Sequence, residues 1–117
     1  MPEATPWRYN FPLIEHPLSL GDQIRSIAWE VREATVAHQN GEELERVAEE
    51  LMDVVHRAET ALAIIEGVPF KHVDLDGVKR KVVAKNAERG YYGEEGAPVV
   101  SLDMLACQRE LMRGGQE

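Results

Sequence analysis

The chain reads as an all-α protein: an antiparallel helical bundle with four helices per chain, completed by oligomerisation. Three observations predict it. First, a helical segment occurs twice. Residues 24–34 read IRSIAWEVREA and residues 44–54 read LERVAEELMDV, so Ile24, Ile27, Ala28 and Val31 fall on Leu44, Val47, Ala48 and Leu51. Apolar residues at i, i+3, i+4 and i+7 form one stripe on a helix. Second, stop signals follow each helical run, at Asn40-Gly41, at Gly67 with Pro69 behind it, and at Gly90. Third, 117 residues with 44% hydrophobic and 29% charged composition suffice for one cored domain with a wet surface, and few aromatics suit helices.

Taken in order, residues 1–18 form an arm punctuated by Pro2, Pro6, Pro12 and Pro17. The prolines exclude a regular helix, yet Trp7, Tyr9, Phe11, Leu13 and Ile14 are too apolar for a free tail. The arm is therefore expected to lie against the body or a partner subunit, with Trp7 and Tyr9 packing rather than covering a ligand. Residues 19–117 read as one helical domain.

Helix 1 is predicted from Ser19, where SLGD supplies a capping residue with an acid three positions on, to about Gln39. Helix 2 follows after a turn so short that the two must be antiparallel neighbours, and spans about 42–66. Besides Leu44, Val47, Leu51, Val55, Ala58 and Leu62 it carries Ala61, Ile64 and Ile65, more apolar surface than one neighbour covers. A second subunit would cover the excess. Helix 3 is predicted over about 74–89 and a final helix from Ser101.

Acids sit in matched phase on the first two helices. Glu30 and Glu33 in the first copy correspond to Glu50 and Asp53 in the second. With 21 acids in the chain, one pair at i, i+3 arises by chance at about three or four places, and most such pairs are solvated surface. Two pairs in register on sequential helices are a stronger signal, because hard divalent cations need several oxygens converging from facing helices. If the two apolar stripes pack on each other, all four carboxylates can meet at the seam.

The net charge of −8 argues against attachment to nucleic-acid polymers, yet five of the 13 Lys and Arg residues lie between positions 79 and 89. Lys81, Lys85 and Arg89, at i, i+4 and i+8, are expected along the inward edge of helix 3 beside Leu75, Val78 and Val82, with Asn86 flanking. They either snorkel into water or hold a polyphosphate. No apolar run is long enough to cross a membrane, and the N-terminus has no leader pattern, so a cytoplasmic location is expected. The single cysteine, Cys107, cannot form an internal disulfide and is expected to be a structural thiol.

Glu30-x-x-Glu33, sixteen intervening residues, Glu50-x-x-Asp53, and then Lys85-Asn86-x-x-Arg89-Gly90-Tyr91-Tyr92 resemble the MazG-like branch of the all-α nucleoside triphosphate pyrophosphohydrolases. The resemblance covers about residues 20–93. That family has a further Glu directly before the first acidic element, where this chain has Trp29. The resemblance implies Mg²⁺-dependent hydrolysis, with Mn²⁺ as a substitute, of a nucleoside triphosphate between the α and β phosphates, by a homodimer or homotetramer. Glu30, Glu33, Glu50 and Asp53 would be the catalytic metal ligands. Lys81, Lys85, Asn86, Arg89, Tyr91 and Tyr92 would bind the substrate, and Glu49 is a candidate base. Two other classes fit parts of the pattern. Asp53-x-x-His56 has the spacing of a di-metal carboxylate bundle, although Val36 stands where the first copy would need its histidine. A non-catalytic helical interaction module is the other.

Overall fold

The computed structural model describes residues 3–14 and 18–93, and all regular structure among them is helical: α1 (Leu20–Gln39), α2 (Leu44–Glu66) and α3 (Leu75–Glu88). The final helix expected from Ser101, and Cys107 within it, lie outside the described residues. No helix among those described is long and apolar enough to cross a membrane. Two compact units divide the chain, Trp7–Leu75 on the one hand and Met1–Pro6 with Asp76–Glu117 on the other.

In the first unit, α1 starts where its capping chemistry dictates. The Ser19 hydroxyl accepts from the Asp22 N–H at 3.3 Å and donates to the Asp22 carboxylate at 3.1 Å. Hydrogen bonding to Arg25, and then to Ser19, holds the Asp22 carboxyl below its ordinary value. The helix ends in a Schellman turn: Gly41 N–H donates to the His38 carbonyl, Glu42 N–H donates to the Ala37 carbonyl, and Gly41 takes the left-handed φ of 70° that this turn requires. Four residues separate α1 from α2.

The two helices pack antiparallel. Gln23 reaches Arg57 and Glu30 reaches Glu50, so a step of seven residues forward on α1 matches seven backward on α2. The seam differs from the expected one. Its buried residues are Gln23, Ala34 and Ala37 on α1 and Glu50, Thr60 and Ala61 on α2. Small side chains allow close approach, and the polar ones are satisfied within the hairpin: Gln23 Nε2 donates to the Arg57 carbonyl at 3.1 Å, and the Thr60 hydroxyl donates to the His56 carbonyl at 3.2 Å.

The predicted apolar stripes do not meet at this seam. Ile24 is 55% exposed, Leu44 78% and Leu51 53%, with Val31 and Val55 exposed as well. The reason lies in helical phase. Val31 follows Glu30 and Leu51 follows Glu50, each turned about 100° from the seam in the same sense, and on antiparallel helices that puts both stripes on one side of the hairpin. Glu33 and Asp53, three residues beyond the same two acids, turn about 60° the other way. The hairpin thus has an apolar face and a carboxylate face, back to back.

The arm lies on the body, along α2. Glu59, only 3% exposed, accepts from the Asn10 N–H at 2.7 Å, the Asn10 side-chain amide at 2.9 Å and the Phe11 N–H at 3.0 Å. His56 Nε2 bonds the Pro12 carbonyl at 3.0 Å while its ring stacks on Phe11, and the Tyr9 hydroxyl donates to Glu66. Trp7 packs edge-on against Tyr9 with ring centroids 5.4 Å apart, the packing role expected of both. Burial, and then the hydrogen bond to Glu66, push the Tyr9 phenol up to about 12. These contacts give the proline-rich segment fixed backbone partners without any helix of its own.

In the second unit, α3 also ends in a Schellman turn. Gly90 takes a φ of 78°, Gly90 N–H donates to the Ala87 carbonyl and Tyr91 N–H donates to the Asn86 carbonyl. Its covered face runs through buried Leu75 and half-buried Lys79, Val83, Asn86 and Ala87. The Lys79 ammonium donates to the Thr5 hydroxyl at 2.7 Å.

Candidate metal centre

Helical phase brings three of the four predicted carboxylates together. Glu30, Glu50 and Asp53 each offer an oxygen within 4.8 Å of the others. Glu30 is half-buried, Glu50 is 5% exposed in the seam, and Asp53 stands on the exposed carboxylate face. The matched register of the two sequence copies creates this convergence, because the antiparallel seam sets position 30 opposite position 50. Glu33 is exposed on the next turn of α1 and stays outside the three-residue group.

An all-oxygen donor set drawn from two helices could hold a metal ion. His56 does not join it. Its Nε2 bonds the Pro12 carbonyl and its ring stacks on Phe11, and among the described residues no histidine joins the three-carboxylate group.

Sequence reasoning missed the cations beside the cluster. It sought them on α3, whereas α2 supplies two. Arg46 Nη2 lies 2.5 Å from Glu50 Oε1, and its Nη1 lies 3.1 Å from Glu49 Oε2. Arg57 Nε lies 3.8 Å from Glu30 Oε1. A signal was present for Arg46, which precedes Glu50 by four residues, the spacing at which helical side chains meet, whereas Arg57 meets Glu30 across the seam, which no spacing along α2 marks.

The remaining predicted residues stand as follows. Lys81, Lys85 and Arg89 lie on the exposed side of α3, as do Val78 and Val82, so the basic stripe is not on an inward edge. The covered face of α3 is instead the one through Leu75, Lys79 and Val83. Asn86 and Tyr92 are half-buried and Tyr91 is exposed. Trp29, at the position where the resembled family has an acid, is exposed with the Arg32 guanidinium 5.6 Å from its ring centroid. Glu49 is exposed and paired with Arg46.

Comparison of the chain with family models, with curated proteins and with solved structures finds no match.

Proposed function

We propose that this chain is a divalent-metal-dependent nucleoside triphosphate pyrophosphohydrolase that cleaves between the α and β phosphates. The observation that carries the proposal is the convergence of Glu30, Glu50 and Asp53 to within 4.8 Å, at the positions their sequence register selects. Exposed acids cluster often without consequence, but Glu50 is buried in the helix seam, where its charge must be offset by a cation, whether a side chain or a metal. A cation held there would neutralise phosphate oxygens and lower the pKa of a bound water. Glu30 and Glu50 in the seam, with Asp53 on the open side, would be the residues that hold the cation. Glu33, one turn along, is the proposed fourth acid.

The phosphate-binding roles that the resemblance gives Lys81, Lys85, Asn86, Arg89, Tyr91 and Tyr92 belong to the same proposal, supported by the exposure of the three cations. The test is a panel of canonical and modified nucleoside triphosphates incubated with Mg²⁺. Stoichiometric release of monophosphate and pyrophosphate from at least one is expected. Release from none of them would refute the proposal.

Oligomerisation is part of the proposal. The apolar face of Ile24, Val31, Leu44, Leu51 and Val55 belongs to a hairpin that has no third helix over it within its own unit. Each such side chain contributes about 1–2 kcal/mol when covered, and a second hairpin laid on this face would make a four-helix bundle. Sedimentation at micromolar concentration should show a dimer or larger, and Leu51→Glu should shift it toward monomer. An active wild-type monomer would contradict this.

A further inference from the structure

Arg46, Glu50, Asp53 and Arg57 lie along one stripe of α2, within about 60° of helical phase. The two arginines close the carboxylate cluster from both ends: Arg46 is on Glu50 at 2.5 Å and Arg57 faces Glu30 at 3.8 Å. Three carboxylates within 4.8 Å repel one another, and the Glu50 side chain is only 7% exposed, so its charge needs a partner wherever no cation supplies one. The arginines are that partner. Neither is locked in place, since the Arg46 side chain is 53% exposed and the Arg57 side chain 34%. Arg46 also has a second anchor, because its other amino group is on Glu49 at 3.1 Å. It can therefore leave Glu50 without leaving the site.

Resting on the proposed metal-dependent function, we infer that Arg46 and Arg57 are resident counter-ions which a divalent cation must displace, and that the displaced guanidinium groups then bind the anionic oxygens of the polyphosphate. The exchange is balanced in charge. Glu50 and Glu30 each trade a guanidinium for the metal, and each guanidinium trades a carboxylate for a phosphate oxygen, the planar bidentate partner for which arginine is suited. The arginines then serve two opposed ends: they weaken the binding of metal alone and strengthen the binding of metal with nucleotide.

That opposition is what an experiment reads. Mn²⁺ affinity without nucleotide should rise about 3- to 10-fold in Arg46→Gln and in Arg57→Gln, because a competing ion pair of the usual size has been removed. With Mn²⁺ saturating, affinity for an α,β-methylene triphosphate should fall about 10-fold or more in the same variants. Arg46→Lys keeps a charge but loses the planar fork, so it should leave Mn²⁺ affinity near wild type while still weakening the analogue. If Arg57→Gln does not fold, Arg46→Gln decides alone, since its half-exposed side chain is not needed for packing. Unchanged or weaker Mn²⁺ binding in a folded Gln variant would overturn the inference while leaving the metal site standing. A wild-type chain that takes up no Mn²⁺ at millimolar concentration would overturn both.

Discussion

Glu50→Gln and Asp53→Asn should each lower Mg²⁺-dependent pyrophosphate release at least about 100-fold, because under the proposed function each substitution removes a charged oxygen ligand and so weakens the hold on the cation. Glu50 is the sharper test. It is buried, so a neutral amide of the same shape removes the charge without opening a cavity, and Arg46, half in water, remains solvated once its partner is gone. Helicity should therefore be unchanged and stability should move by no more than about 1 kcal/mol. Turnover and Mn²⁺ affinity should fall together. Near-normal turnover in both variants would remove the metal-site assignment, whereas a collapse in helicity would reassign Glu50 to holding the seam together.

The second large effect concerns Glu59, which holds the arm. Glu59→Ala leaves two backbone N–H groups and the Asn10 amide without their acceptor under a cover of arm residues. Three hydrogen bonds to a charged group are at stake, and the loss should be about 3 kcal/mol in urea unfolding. Trp7, packed against Tyr9, should report release of the arm as a red-shifted emission.

The effect has a defined pH dependence. Burial alone would raise the Glu59 carboxyl, but the Asn10 side chain, the Phe11 and Asn10 backbone N–H groups and nearby His56 outweigh it and leave the group below its ordinary value. A carboxyl depressed in the folded state stabilises above its unfolded pKa and loses that contribution as pH falls through the folded one. The stability gap between wild type and Glu59→Gln should accordingly be full at neutral pH and close below the usual carboxylate range. A gap that stays constant down to pH 2 would mean the charge of Glu59 contributes nothing.

Local signals explain why the helices were legible from the chain alone. Ser19 caps, and Gly41 and Gly90 adopt the left-handed conformation that ends a helix, all through contacts within a few residues. The short turn after Asn40 made α1 and α2 antiparallel, and the twenty-residue repeat then placed Glu30 opposite Glu50.

What needed the tertiary structure was every choice of face. Apolar periodicity marks a stripe that wants covering but not the element that covers it. The hairpin packed through Ala34, Ala37 and Ala61 instead, which let the helices come close and left Ile24, Leu44 and Leu51 outward. The same rotation drew Glu30 and Glu50 inward, kept Glu33 out, and set the α2 arginines against the cluster. Glu59 gave no local sign, because its partners are 48 and 49 residues away in a segment without regular structure. The sequence by itself determined where the helices run and which acids share a phase, since both follow from spacing along one chain. Only tertiary packing decided which of those acids meet, because that depends on how far each helix turns about its own axis.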